Sequence, residues 1–121
     1  GVPYVWGGSY PDSGGTDCSG LMQWSYAQCG FSIPRTTHTQ LDACNAVGHL
    51  HHDVSLLLPG DLVFVNEGGH VGMYLGNGRV IHAPHPGGVI MVSGLDRWPS
   101  IFAIGYPIAN GPAARDEEVG E

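Results

Sequence analysis

The chain contains no lysine, and only four arginines stand against eleven acidic residues, a formal charge of −7 over 121 residues. A nucleic-acid partner requires cationic side chains to neutralise phosphates, so this balance excludes that class. It offers nothing to an anionic membrane surface either. Long hydrophobic runs are also missing. Runs such as residues 56–58 and 89–92 fall far short of the roughly 18–20 apolar residues that a membrane span needs. Charged residues make up only 12% of the chain while hydrophobic residues reach 42%, which describes a folding globular sequence and not a disordered one. The length suits one domain with one core and is too short for a two-domain enzyme. No charged segment followed by an apolar stretch opens the chain. Gly1-Val2-Pro3 runs straight into motif-like sequence, and the expectation is a monomeric domain of a longer protein whose address signal lies elsewhere.

Twenty glycines imply many turns and a loop-rich, β-containing fold. Residues 1–16 read as loop with one short extended piece. Cys18, Leu21, Met22, Ser25, Tyr26 and Cys29 then share one face at helical spacing. Thr16 or Asp17 is placed to cap the start and Gly30 to end it, which predicts a helix of about three turns. Beyond Pro34, Thr37 and Gln40 have the spacing of a capping box, predicting a second helix over 40–47 that Gly48 terminates. Residues 49–53 read as polar loop. From Pro59 the period switches to two. Residues 61–65, 70–75, 79–83, 88–92 and 102–106 read as five strands, the second and third joined by the tight turn Gly76-Asn77-Gly78. Helices first and antiparallel strands later predict the α+β class. Residues 1–108 read as the domain and 109–121 as an acidic, solvated tail.

The chemistry concentrates in Asp17-Cys18-Ser19-Gly20. Cys18 falls at the first turn of the predicted helix, where unpaired backbone N–H groups and the positive end of the dipole favour thiolate over thiol. A thiolate needs a proton partner to work as an acyl-transfer nucleophile, best supplied by a histidine that a third polar group orients. His70 and His82 are the candidates. A three-residue loop over 76–78 pairs Leu75 with Arg79, sets Gly72 opposite His82, and brings His70, Gly72 and His82 to one face, with Gly72 leaving room for the two rings. A two-residue Asn77-Gly78 turn would send His70 to the other face. The odd register is predicted. Trp24, Tyr26, Phe64 and Trp98 are assigned to packing, and Tyr4 and Trp6 individually to core or groove wall. An odd number of cysteines leaves at least one thiol free. Cys29 and Cys44 are read as structural, buried or bridged, because spacing alone leaves a disulfide open. His49, His51, His52 and Asp53 lack the spacing of a helical metal site and look like loop, so no metal and no cofactor are expected. His38 has no assigned role, and His85 is placed along the groove.

Six segments, in order and from residue 3 to about residue 92, resemble the NlpC/P60 family of cell-wall peptidases, a papain-like group. They are Pro3-Tyr4-Val5-Trp6-Gly7-Gly8, Asp17-Cys18-Ser19-Gly20-Leu21, Pro34-Arg35-Thr36-Thr37, Leu58-Pro59-Gly60-Asp61-Leu62-Val63-Phe64, the stretch from His70 through Gly78, and Ile81-His82-Ala83-Pro84. The resemblance implies a papain-like α+β fold, with the nucleophile helix packed on a small antiparallel sheet and a cleft between them. It implies a Cys18–His70–His82 triad, with Tyr4, Asp17 and Ser19 binding substrate. The expected pair is a Cys18 thiolate with His70 as the imidazolium that protonates the departing amine. Asp17 reads equally well as a helix cap. The implied reaction is hydrolysis of amide bonds in bacterial peptidoglycan stem peptides, beside a D-γ-glutamyl residue linked to a diamino acid. The expected place of action is the cell wall, reached by secretion or on a phage virion. The alternatives are a papain-like amidase or acyltransferase with the same triad, and a non-catalytic wall-binding module.

Overall fold

The computed structural model describes residues 2–5, 7–8, 14–84, 88–98 and 100–109. Helix α1 spans Cys18–Gln28 and begins where expected, because the Asp17 carboxylate accepts from the Gly20 amide at 2.8 Å and so satisfies one of the orphan donors of the first turn. Gly30, at φ +88°, follows its end. Helix α2 spans Thr37–Ala46 and starts three residues earlier than the expected 40–47. Its capping box is real but displaced by one residue: Thr36 accepts from the Thr39 amide, and the Thr39 hydroxyl accepts from the Thr36 amide at 3.2 Å. Gln40 serves elsewhere. Fully buried, it donates Nε2 to the carbonyls of Ser19 and Pro34, both at 2.9 Å. It thereby ties α2 to the start of α1.

Among the described residues, six strands form one antiparallel sheet in the order β1-β6-β2-β3-β4-β5. They are β1 Leu50–His51, β2 Leu62–Val65, β3 His70–Gly76, β4 Arg79–His82, β5 Met91–Gly94 and β6 Ile101–Gly105. The stretch read as polar loop over 49–53 contains β1, which pairs with Ile104 and Gly105. Two residues are too few to show an alternation. β5 starts three residues later than expected; ahead of it Val89 bridges to Pro3, and the Ile90 amide donates to Val2. The short extended piece near the start of the chain therefore lines up beside the end of the sheet. The tail expected over 109–121 lies, beyond Ala109, outside the described residues.

The strand register decides which side chains face which layer. Val71 lies opposite Phe64, and Met73 lies opposite both Leu62 and Ile81. These residues share one core with Ala103 and with Leu21, Met22 and Tyr26 of α1. Each fully buried Leu, Val or Phe there contributes about 1.5–3 kcal/mol. Side chains alternate along a strand, so His70, Gly72, Val80 and His82 belong to the opposite face. The helix thus packs on the sheet as expected, but not on the face that carries the histidines. His70 is the first residue of β3, which puts it at the end of the sheet, and there it meets the N-terminal ends of the helices.

The β3–β4 hairpin combines features of both registers considered from sequence. Its turn is the two-residue Asn77-Gly78, with φ of +55° and +72°, the backbone that favours Asn-Gly in tight hairpins. Gly76 pairs with Arg79, but the ladder then shifts, so that Tyr74 faces Val80 and Met73 faces Ile81. Leu75 is the extra residue of a bulge. Continued by one step, this register sets Gly72 opposite His82, as predicted, although the three-residue loop offered as its cause is not there.

Candidate active site

The first turn of α1 is anchored before any reactive group is considered. Asp17 is 9% exposed. Its Oδ1 takes the Gly20 amide, the Ser19 hydroxyl at 3.4 Å and the Arg35 guanidinium at 2.9 Å, while Oδ2 takes the Gly7 amide at 3.2 Å. The cap reading of Asp17 is therefore correct, and the same carboxylate holds Arg35. Arg35 reaches on to Ser19 Oγ at 3.0 Å and to the Gly8 carbonyl at 2.7 Å. A Cβ on Gly20 would stand 2.5 Å from the Gly8 carbonyl oxygen and 2.6 Å from Thr16 Oγ1. Only glycine allows this turn to pack so closely behind the cysteine.

Cys18, half-buried, opens into a cleft of about 730 Å³ whose lining includes Tyr4, Asp17, Ser19, Arg35, Thr37 and His70. The cleft brings the three expected substrate-binding residues together with the cysteine and the first histidine. The hydrogen bond that Cys18 Sγ makes is with Thr37 Oγ1 at 3.6 Å. Thr37 begins α2, so the N-terminal ends of both helices converge on the sulfur. Burial, followed by electrostatic interaction with Cys18 and Asp17, raises the Tyr4 phenol above its usual value, with Arg35 opposing. Its hydroxyl therefore remains a proton donor at neutral pH.

His70 and His82 are in contact: His70 Nε2 lies 3.2 Å from His82 Nδ1, the rings nearly perpendicular at 77°. His82, 9% exposed, places its Nε2 2.9 Å from Ser93 Oγ on β5. Desolvation, reinforced by the neighbouring His82, pushes the His70 imidazole down to about 4. His70 is thus neutral at physiological pH. With Nε2 turned to His82, Nδ1 is the ring nitrogen left for a thiol proton.

Trp98, assigned to packing from sequence, covers the pair. Its ring centroid lies 5.6 Å from that of His70 and 4.9 Å from that of His82. Gly72 makes room for this indole and not, as expected, for the histidines: a Cβ there would lie 2.6 Å from Trp98 Cη2. A second cleft, of about 520 Å³, continues past His70 and Pro84 along Ser93, Arg97 and Trp98. From sequence, Arg35 and Ser93 carry no site role, Thr37 reads as part of a capping box and Trp98 as packing. Arg35 and Thr37 stood inside a recognised segment, which was the available signal. Ser93 carried none, since its role comes from the β4–β5 register.

None of the three cysteines is in a disulfide; Cys44 is buried, as read, but Cys29 is exposed and unbridged. Among the described residues no group of three or more His, Cys, Asp and Glu is arranged to hold a metal ion. His38 lines the first cleft. Trp6 and His85 lie outside the described residues.

The sequence model of the NlpC/P60 family matches residues 1–100. The chain is 43% identical over 93 residues to the bifunctional muramidase/DL-endopeptidase CwlT of Bacillus subtilis, covering 72% of this chain and 26% of that protein. It is 37% identical over 99 residues to the probable endopeptidase Rv2190c of Mycobacterium tuberculosis, covering 79% and 23%. The chain thus spans about a quarter of the length of these relatives. Among solved structures, the peptidoglycan hydrolase RipB of Mycobacterium tuberculosis superposes with a TM-score of 0.73 at 33% identity, covering 89% of this chain and 58% of that one. The NlpC/p60 domain of the peptidoglycan hydrolase SagA gives 0.72 at 36% identity, covering 88% and 87%.

Proposed function

The chain belongs to the NlpC/P60 family, and from that premise we propose that it is a cysteine endopeptidase acting on bacterial peptidoglycan stem peptides at the cell wall. The observation that carries this reading is the placement of Cys18 and His70 in one cleft, with His82 at 3.2 Å behind His70. The names of the similar proteins, endopeptidase and peptidoglycan hydrolase, support the substrate class.

In this mechanism His70 rests as the neutral imidazole. His70 Nδ1 takes the thiol proton as Cys18 Sγ attacks the scissile carbonyl, so charge separates only when substrate is present. The backbone N–H of Cys18, at the start of α1, and the protonated Tyr4 hydroxyl would stabilise the oxyanion. As the tetrahedral adduct collapses, the C–N bond breaks and the His70 imidazolium gives its Nδ1 proton to the departing amine. Water then attacks the thioester, with His70 accepting its proton. The carboxylate product departs and the thiol re-forms.

The proposed scissile bond joins a D-γ-glutamyl residue to a diamino acid. A γ-linked glutamate leaves its α-carboxylate free, and Arg35 is the one guanidinium lining the first cleft among the described residues. Asp17 and Ser19 act on this substrate through Arg35, which both hold in place. The test is incubation of the protein with purified stem peptides and mass analysis of the products. Cleavage on the carboxyl side of the γ-glutamyl residue, abolished in a folded Cys18→Ala variant, is expected. Cleavage between sugar and peptide would make the protein an amidase, and retained hydrolysis by Cys18→Ala would refute the triad.

A further inference from the structure

We propose that Ser93 is a positioning residue that holds His82 in the orientation and tautomer His70 needs to work as a base. The proposal rests on the function argued above. Two imidazoles joined by one hydrogen bond can carry their protons in either direction. If His70 Nε2–H donates to His82 Nδ1, then His70 Nδ1 keeps a lone pair and His82 must carry its own proton on Nε2. If His82 Nδ1–H donates to His70 instead, His70 bears its proton on Nδ1 and cannot accept one from a thiol. The first arrangement needs an acceptor beyond His82, and Ser93 Oγ stands 2.9 Å from His82 Nε2. The need becomes absolute once His70 is protonated. The imidazolium must then donate through Nε2, and His82 has no other way to turn its remaining proton outward.

The fold fixes this contact. Val80 pairs with Ser93 and His82 with Met91 across β4 and β5. Ser93 is thus the diagonal neighbour of His82 on the same face. His82 is enclosed by His70, Ser93 and the Trp98 ring, and at 9% exposure it has little water to replace a lost partner. Ser93 itself lines the second cleft, where its hydroxyl proton can turn to solvent while its lone pair serves His82. Among the described residues, the titratable and charged groups lining these clefts are Tyr4, Asp17, Cys18, Arg35 and His38 on the His70 side and Arg97 on the His82 side.

The test compares Ser93→Ala and Ser93→Thr with the parent by ring-nitrogen NMR and by peptide turnover. In the parent, both His70 and His82 are expected in the Nε2–H form. In Ser93→Ala the Nδ1–H form of His70 becomes populated, kcat falls by about tenfold to a hundredfold with KM little changed, and Ser93→Thr restores both readouts. Unchanged ring-nitrogen shifts in Ser93→Ala would overturn the proposal, as would a kcat loss that Thr fails to rescue. The tautomer measurement needs no substrate. A parent protein that cleaves no stem peptide would therefore refute the proposed function while the role of Ser93 is still decided by the spectra.

Discussion

Replacing Gly72 with alanine tests how the histidine pair is enclosed. The new methyl would stand 2.6 Å and 2.9 Å from Trp98 Cη2 and Cζ2, and 2.7 Å from Val80 Cγ1. Val80 is fully buried within the sheet and cannot retreat, whereas Trp98 is half-buried just beyond the short turn Leu95–Arg97. The indole is the group that moves. Overpacking of this kind destabilises by about 1–3 kcal/mol, and each kcal/mol lowers Tm by roughly 4–8 °C in a domain near 100 residues. A second effect follows from the first. The displaced indole admits water to His70, relieving the desolvation that pushes it from 6.5 down to about 4. Between these two values the unfolded parent binds a proton that the folded parent refuses, so parent stability falls as pH drops through 6.5 toward 4. The variant loses less over the same window. Thermal denaturation followed by circular dichroism should therefore show the widest Tm gap above pH 6.5 and a narrowing gap below it. A Tm within about 1 °C of the parent, against the several degrees expected, or a gap that does not change with pH, would refute the reasoning.

The two histidines should differ in consequence. His70→Ala removes the proposed proton carrier itself and His82→Ala only the ring that His70 hydrogen-bonds, so turnover on a stem peptide should fall further in the first; the reverse order contradicts the proposed roles. Thr37→Val removes the hydroxyl 3.6 Å from Cys18 Sγ at nearly constant volume. Iodoacetamide should then alkylate Cys18 about two- to tenfold more slowly, because a hydrogen bond to a developing thiolate is charge-assisted. Thr37→Ser should restore the rate, and equal rates in all three proteins would show that the contact is passive.

Much of this architecture was legible because local chemistry and global packing agree. Asp17 before an apolar face, and Gly30 after it, mark α1 without reference to the rest of the molecule. The strands near 62–65 and 70–76 are legible as short β-rich runs bounded by turn residues, although β2 is buried on both faces and shows no alternation. What escaped notice depended on partners far away in sequence. The start of α2 was misplaced because Gln40, the expected capping residue, is drawn inward by the carbonyls of Ser19 and Pro34. Strand β1 exists only because β6 is there to pair with it. Ser93 and Trp98 are an ordinary serine and an ordinary tryptophan until the β4–β5 register and the bare backbone at Gly72 set them against His82. Cys18, His70 and His82 could be named from their flanks, but the neutral resting state of His70 arises from burial that no short segment encodes.

The bulge at Leu75 gives the hairpin a property unrelated to any side chain. With a two-residue turn, a regular ladder would place His70 and His82 on opposite faces, and a single supernumerary residue returns them to the same side. Parity is thus a matter of counting. Deleting Leu75 should leave the strands, the turn and most of the buried surface able to form while half of the chemistry points the wrong way. Loop length, read modulo two, is therefore the quantity that natural variation must preserve here. Insertions near Asn77 should be tolerated in pairs and disabling when single.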